Sequence, residues 1–446
     1  MSGNVQEQTL EPVLERLLDA APGGRPADEG ARGPLAALRA EGRRAIAAAG
    51  LPTQKSEPWK YTSLNALRKV EWSGPAGDGA DFDTVKSALP VLDAYTVVLL
   101  NGRFDSVLSD LNGLPKGVRV LPLPEAMSDS AVTDTLASLI PLDMAPMAAL
   151  NTAHLDDGVL VRIDAGKALD KPLHIVSVGY AGSAPAAYHP RFLIQLDENA
   201  EATVIESHIG LKGAPTFSNT VTEVVLAPSA RLGHYKLQDQ AVDGFDLSTT
   251  AIRCSDKSVY DGFTLSLGLG TVRNDVRMTL DGEHVEGRLN GAYLGHGGSH
   301  VDNTTFIDHA KPNSTSREVF KGVLADESRG VFQGKILVRP DAQNTDGHQL
   351  NKSLLLSDKA EADSKPELEI YADDVRCSHG ATIGALDDEQ LFYLRARGID
   401  AVTARAILVQ AFLMEALDEI QKASVRDALH EHLAARLQPL FKGGLV

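Results

Sequence analysis

Apolar residues at three- and four-residue spacing open the chain, where Leu10, Val13, Leu14, Leu17 and Leu18 share one helical face and Thr9 is placed to cap it. The Pro/Gly-rich stretch AAPGGRPADEGARGP, residues 20 to 34, breaks that pattern and reads as a linker. A second helical run, Leu35 to Ala49, is closed by Gly50 and Pro52. In SEPWKYTSL, residues 56 to 64, Pro58 excludes a regular helix, and Trp59 and Tyr61 read as anchors that pin a loop to the core. From about Val91 the pattern turns to short apolar runs such as Tyr95 to Leu100, followed by the turn pair Asn101-Gly102. The Ala/Leu-rich stretch from Thr133 to Leu150 predicts a helix.

From Asn151 to Arg376 helix signals largely vanish. Short β-branched runs alternate with Gly, Asn, Asp and Pro turns, as in Val159 to Ile163, Ala202 to Glu206, Thr222 to Leu226, Gly330 to Gly334 and Ser353 to Leu356. Strands of about five residues without regular Asn-Gly hairpins favour a β-solenoid over an immunoglobulin-like sandwich; periodicity alone leaves a large sandwich or double barrel open. The end coils of a solenoid need protection against edge pairing, and the flanking helices are the predicted caps. Helix returns at Asp387 to Arg397, stopped by Gly398, then at Ala401 to Lys422 and Ser424 to Leu437. In the middle helix Ile407, Leu408, Phe412, Leu417 and Ile420 form an apolar stripe, and the three helices predict a small bundle with a face available to a partner. Three parts result: a helical region at 1–94, a β core at 95–385 with its helical insertion near 133–150, and a helical domain at 386–446.

Composition narrows the partners. The 446 residues carry a formal net charge of −17, which disfavours nucleic acid and anionic membrane surfaces in the absence of a basic patch. Two cysteines, Cys254 and Cys377, exclude a disulfide framework and point to a cytosolic protein with free thiols. The acidic, polar start lacks a signal-peptide pattern, and the longest apolar stretch, Ala404 to Met414, contains Arg405 and Gln410 and is too short to span a bilayer.

Several chemistries drop out. Gly334-Lys335 is followed by Ile336 rather than Ser or Thr, so no phosphate loop forms; Gly-x-Ser-x-Gly and His-Glu-x-x-His are absent. His296 and His300 have ligand-like spacing, but the Gly-Gly-Ser between them disfavours metal binding. His154, His174, His189, His208 and His234 read as separate surface or hydrogen-bonded side chains. One constellation stands out, Asp373-Asp374-Val375-Arg376-Cys377-Ser378-His379-Gly380. In an extended segment Cys377 and His379 project from one face, so a thiolate and an imidazole could reach one iron or one cluster edge, with the missing ligands supplied by another chain. Arg376 is expected to lower the thiol pKa.

SEPWKYTSL, the stretch from Arg288 to Ile399 that ends DDVRCSHGATIGALDDEQLFYLRARGI, and the helical tail together resemble the SufB/SufD family of iron–sulfur cluster assembly proteins, over nearly the whole chain. The SufD branch is the nearer, since SufB-type chains carry further cysteines, whereas here Leu350-Asn351-Lys352-Ser353-Leu354 has no thiol. The resemblance implies a mainly β fold with α, a right-handed parallel β-helix core flanked by N-terminal and C-terminal helical domains. It implies a scaffold rather than an enzyme, paired with a SufB-like paralogue and holding one copy of the SufC-like ABC ATPase on its C-terminal helices, where Leu408 and Phe412 are the partner-binding candidates. ATP-driven dimerisation of that ATPase would shift the pair and expose buried ligands. His379 takes the implied metal and cluster-assembly role, with Cys377 as accessory ligand or structural thiol, on a transient iron–sulfur cluster shared with the paralogue. A homodimer is also open. The competing readings are the SufB-type paralogue itself and a polysaccharide-active β-helix enzyme, the latter disfavoured by an aromatic content of 5%.

Overall fold

The structure, a computed structural model, describes residues 10–20, 34–74, 82–87, 89–240, 243–268 and 270–442; Thr9 and almost all of the 20–34 linker lie outside that set. The core is a parallel β-helix whose chain alternates between two ten-stranded sheets. The first holds β1 (Tyr95–Leu100), its antiparallel partner β2 (Arg103–Asp110), then β5 (Leu173–Gly179), β8 (Glu201–Gly210), β10 (Arg231–Asp239), β12 (Val259–Ser266), β14 (Glu286–Gly295), β16 (Thr315–Leu324), β18 (Thr345–Leu355) and β20 (Val375–Gly384). The second begins with β3 (Val118–Pro122) antiparallel to β4 (Gly158–Ile163) and continues through β7 (Arg191–Leu196), β9 (Thr216–Leu226), β11 (Phe245–Cys254), β13 (Thr271–Leu280), β15 (His300–His309), β17 (Arg329–Val338) and β19 (Glu361–Ile370), with β6 (Ala186–Tyr188) beside β9.

Each coil turns a corner through a residue in the left-handed region: Asn199, Ser229, Lys257, His284, Asn313 and Asn344. A non-glycine residue there costs about 1 kcal/mol. The corners recover it by stitching coils together, as Ser229 N–H donates to Asp256, Lys257 to Glu283, Asn313 to Gln343 and Asn344 to Asp374. Inside, one half is apolar, with Ile175, Phe192, Val204, Val224, Leu232, Ile252, Met278, Ile307 and Ile336 stacked coil upon coil. The other half is polar, and Glu206, Lys236, Ser248, Asn274 and Asn303 are buried there.

The helices lie on the faces of the β-helix rather than on its ends, which corrects the expected capping. Helix α1 (Pro12–Asp19) buries Val13, Leu14, Leu17 and Leu18, and joins α2 (Pro34–Ala49) and Trp59 against Phe217, Val221 and Phe245 of the second sheet. Short helices α3 (Asn65–Arg68) and α5 (Leu123–Ala126) complete this side, while α4 (Phe82–Ser87) packs Val85 against Val98, Val176 and Val178 of the first sheet. The stretch predicted as one helix over 133–150 is two, α6 (Ser130–Thr135) and α7 (Pro146–Ala153), because Ala137 takes a positive φ of 63° and Pro141 and Pro146 interrupt the ladder. At the other face, α8 (Asp388–Arg395), α9 (Ala401–Leu417) and α10 (Ala423–Lys442) do not pack only on themselves. Val409, Leu413, Ala416, Leu429 and Leu433 bury against Ile205, Tyr235, Phe263, Leu294 and Val323 of the first sheet.

Helices α2 and α7 cross at Gly42. A Cβ there would come within 2.5 Å of the Ala153 nitrogen and 2.8 Å of the Ala149 oxygen, both backbone atoms that cannot swing aside. Gly42→Ala is therefore expected to force the helices apart at a cost of about 1–3 kcal/mol. A urea-unfolding midpoint equal to that of the parent chain would contradict that close approach.

The two ends of the β-helix differ. Among the described residues each sheet ends on strands paired on one side: at the first coil these are the antiparallel β2 and β3, and at the last coil the parallel β19 and β20. Their residues are mostly exposed or half-buried, while strands such as β7 and β9 are almost wholly buried.

Candidate functional site

The Cys377-x-His379 pair sits on β20, in this open last coil. Alternation along the strand puts Cys377 and His379 on one face and Arg376 and Ser378 on the other. Cys377 pairs with Gly347 and His379 with Gln349, the next strand inward. Val375 and Cys377 pack on the apolar interior, so this face is the inner one, and His379 stands exposed at its rim. Gly347 leaves room beside the thiol: a Cβ there would lie 3.5 Å from Cys377 Sγ.

Burial pushes the Cys377 thiol up, with the Gly347 backbone partly opposing it. This corrects the expectation that Arg376 lowers it, since Arg376 projects from the opposite face. A raised thiol is mostly protonated near neutral pH, so ligation by Cys377 must displace a proton.

On the outer face the same coil carries a chain the sequence did not single out. Ser378 Oγ lies 2.5 Å from His348 Nδ1, His348 Nε2 lies 2.9 Å from Asp346, and Arg317 meets Asp346 at 2.8 Å. Only the register reveals it, because His348 and Ser378 are paired across strands and 30 positions apart.

Of the five histidines read as separate, four come together in two pairs, and His174 stays single with a hydrogen bond. His154 and His189 stack at 4.4 Å, and His208 and His234 both reach Glu206, at 2.9 and 2.7 Å; all five are buried. His174 meets Ser207 at 2.7 Å, and His300 meets Thr62 at 2.8 Å, a hydrogen-bonding rather than ligating role. Among the described residues no group of three or more His, Cys, Asp or Glu is placed to hold a metal ion. His379 and Cys377 can thus offer this chain's part of a coordination shell, not the whole of one.

Burial also sets a pH dependence. His154, His174, His309 and His432 are held down to about 4 from 6.5 by loss of hydration. The unfolded chain takes up these protons where the folded chain does not, so their stability is present above pH 6.5 and is lost as pH falls toward 4. The Glu318 carboxyl, raised to about 7 from 4.5 by burial, works in the opposite sense over 7 to 4.5. Each group contributes up to about 1.4 kcal/mol per pH unit, so the four histidines outweigh it. The urea-unfolding midpoint is expected to fall steadily from pH 6.5 to 4.5, and a rise over that range would contradict the assignment.

On the C-terminal helices Leu408 and Phe412 are half-buried, and Phe412 packs toward the β-helix with Lys321 Nζ 5.1 Å from its ring centre. The more exposed apolar side chains lie beside them: Phe392 (74% exposed), Tyr393, Val402 and Ile407.

Two family profiles match the chain. "SUF system FeS cluster assembly, SufBD core domain" covers residues 179–412, and "SufBD protein N-terminal region" covers 27–175. The chain is 32% identical to the iron–sulfur cluster assembly protein SufD of Escherichia coli, over 89% of its own length and 90% of that protein's. It is 30% identical to an iron–sulfur cluster assembly SufBD family protein of Synechocystis, over 86% and 87%, and 29% identical to one of Mycobacterium bovis, over 85% and 87%.

Proposed function

Since the chain belongs to the SufBD family of the SUF iron–sulfur cluster assembly system, we propose that it is a non-catalytic, cytoplasmic scaffold subunit whose open last coil joins a SufB-type paralogue. The observation that carries this reading is the combination at that coil of two ten-residue strands, β19 and β20, each with a free edge, and the exposed His379 beside them. A free edge of that length is a template for pairing with another β-helix, and pairing would bring a partner's ligands to the rim. His379 then supplies an imidazole to the nascent iron–sulfur cluster, which is cargo shared between two chains, and Cys377 a weaker thiol. ATP hydrolysis falls to a SufC-type partner held on the C-terminal helices around Leu408, Phe412 and the exposed Phe392.

Co-expression with SufB-type and SufC-type proteins tests the assignment of surfaces. Phe392→Asp with Ile407→Asp is expected to lower the amount of ATPase partner recovered by about tenfold or more while the paralogue stays bound. Loss of both partners together would contradict separate surfaces. Purification as a homodimer in the presence of the paralogue would show that the edge takes a second copy instead.

A further inference from the structure

Behind the rim, the last coils bury polar groups that the cluster-assembly reading does not use. Glu318 on β16 pairs in register with Gln349 on β18, and Gln349 with His379 on β20, so the three stand in one inward-facing column. Successive members are about 4.8 Å apart along it. Glu318 is 1% exposed, Gln349 3%, and Thr305, across the interior on β15, 2%.

Other buried carboxylates of the core are partnered: Glu223 by Arg191, Asp302 by Arg273, Glu206 by His208 and His234. Glu318 differs. Among the described residues neither of its oxygens has a hydrogen-bond partner of good geometry, and the same holds for both amide atoms of Gln349, the Thr305 hydroxyl and the Asn351 carbonyl oxygen. Thr305 and Gln349 lie near enough to favour the ionised carboxyl, but burial outweighs them. Buried polar groups left without good hydrogen bonds are costly, so Glu318, Gln349 and Thr305 together call for an occupant. Thr305 also borders a cavity of about 30 Å³ that it shares with Asn290, His234 and Lys236, room for about one or two waters beside the site.

We propose that Glu318, with the carbonyl oxygen of Gln349 and the hydroxyl of Thr305, forms an internal site for one divalent cation of the Mn²⁺/Fe²⁺ class. One carboxylate with neutral oxygen donors suits such an ion, and a single negative charge excludes an anion. His379, exposed on the last coil, ends the column. The site rests on the buried side chains themselves and holds whether or not His379 touches a cluster.

The test is Mn²⁺ titration of the purified full chain at pH 7.5, followed by electron paramagnetic resonance. The parent chain is expected to bind one Mn²⁺ saturably. Glu318→Gln, nearly isosteric, is expected to keep its melting temperature or raise it and to weaken binding by about tenfold or more, with Thr305→Val weakening it less. Should Glu318→Gln fail to fold, Gln349→Met carries the same expectation. His379→Ala is expected to retain the bound ion. No saturable binding in the parent, or equal binding in Glu318→Gln, would overturn the site. Loss in His379→Ala with retention in Glu318→Gln would also overturn it, by placing the ion at the rim.

Discussion

His379→Ala in the complex with SufB-type and SufC-type partners is expected to lower iron and acid-labile sulfide content by about tenfold or more, without lowering the melting temperature of the chain. Both halves follow from the geometry. The side chain is exposed at the rim of β20 and makes no hydrogen bond or ion pair among the described residues, so truncating it removes little packing and leaves no buried group unpaired. Among the described residues no group of three or more His, Cys, Asp or Glu is placed to hold a metal ion, so no such cluster stands by to take over its part at the rim. Cys377→Ser is expected to have the smaller effect on iron, since burial keeps that thiol protonated and its release opposes ligation. Iron content unchanged in His379→Ala would refute the assignment. A loss of iron accompanied by a lower melting temperature would make the residue structural.

Glu223→Gln is expected to destabilise the chain by about 3–5 kcal/mol, the largest single effect on stability. Arg191 and Glu223 form a wholly buried pair at 2.6 Å. Arg191 also donates to Asn151 and Thr152 of α7, and Glu223 accepts from the backbone nitrogens of Ala137 and Leu139. The pair therefore ties β7 and β9 to the irregular segment between α6 and α7. Gln at 223 keeps the shape but leaves the guanidinium buried and uncompensated. Arg191→Met with Glu223→Leu is expected to recover part of the loss, because well-packed apolar replacements avoid the buried charge. Urea unfolding checks this, and a Glu223→Gln change within about 0.5 kcal/mol would show the charge to be neutralised elsewhere.

Much of this architecture is legible in the sequence because it is local. Short β-branched runs between turns favoured a β-solenoid while leaving a sandwich or double barrel open, the family resemblance supplied the parallel β-helix, and helical spacing placed Val13, Leu14, Leu17 and Leu18 on a buried face. Period-two alternation placed Cys377 and His379 together. What escaped is non-local. Left-handed corners fall on Ser229, Lys257 and His284 as well as on Asn, Asp and Gly, so turn residues mark only some of them. Apolar stripes do not say what they cover, and half of Phe412 is taken up by the β-helix. Residues that meet across coils, such as Glu206 with His234 or Glu318 with Gln349, are about 30 positions apart and gather only once the register is set. A sequence without an internal repeat gives no warning of that register.

The most direct measurement is anaerobic co-expression of the chain with its SufB-type and SufC-type partners, followed by mass determination and assay of iron and acid-labile sulfide. The scaffold reading predicts one complex containing all three proteins, with more iron and sulfide than the SufB-type and SufC-type proteins yield without the chain. A chain that elutes apart from both, with cluster content no different in its absence, would contradict it.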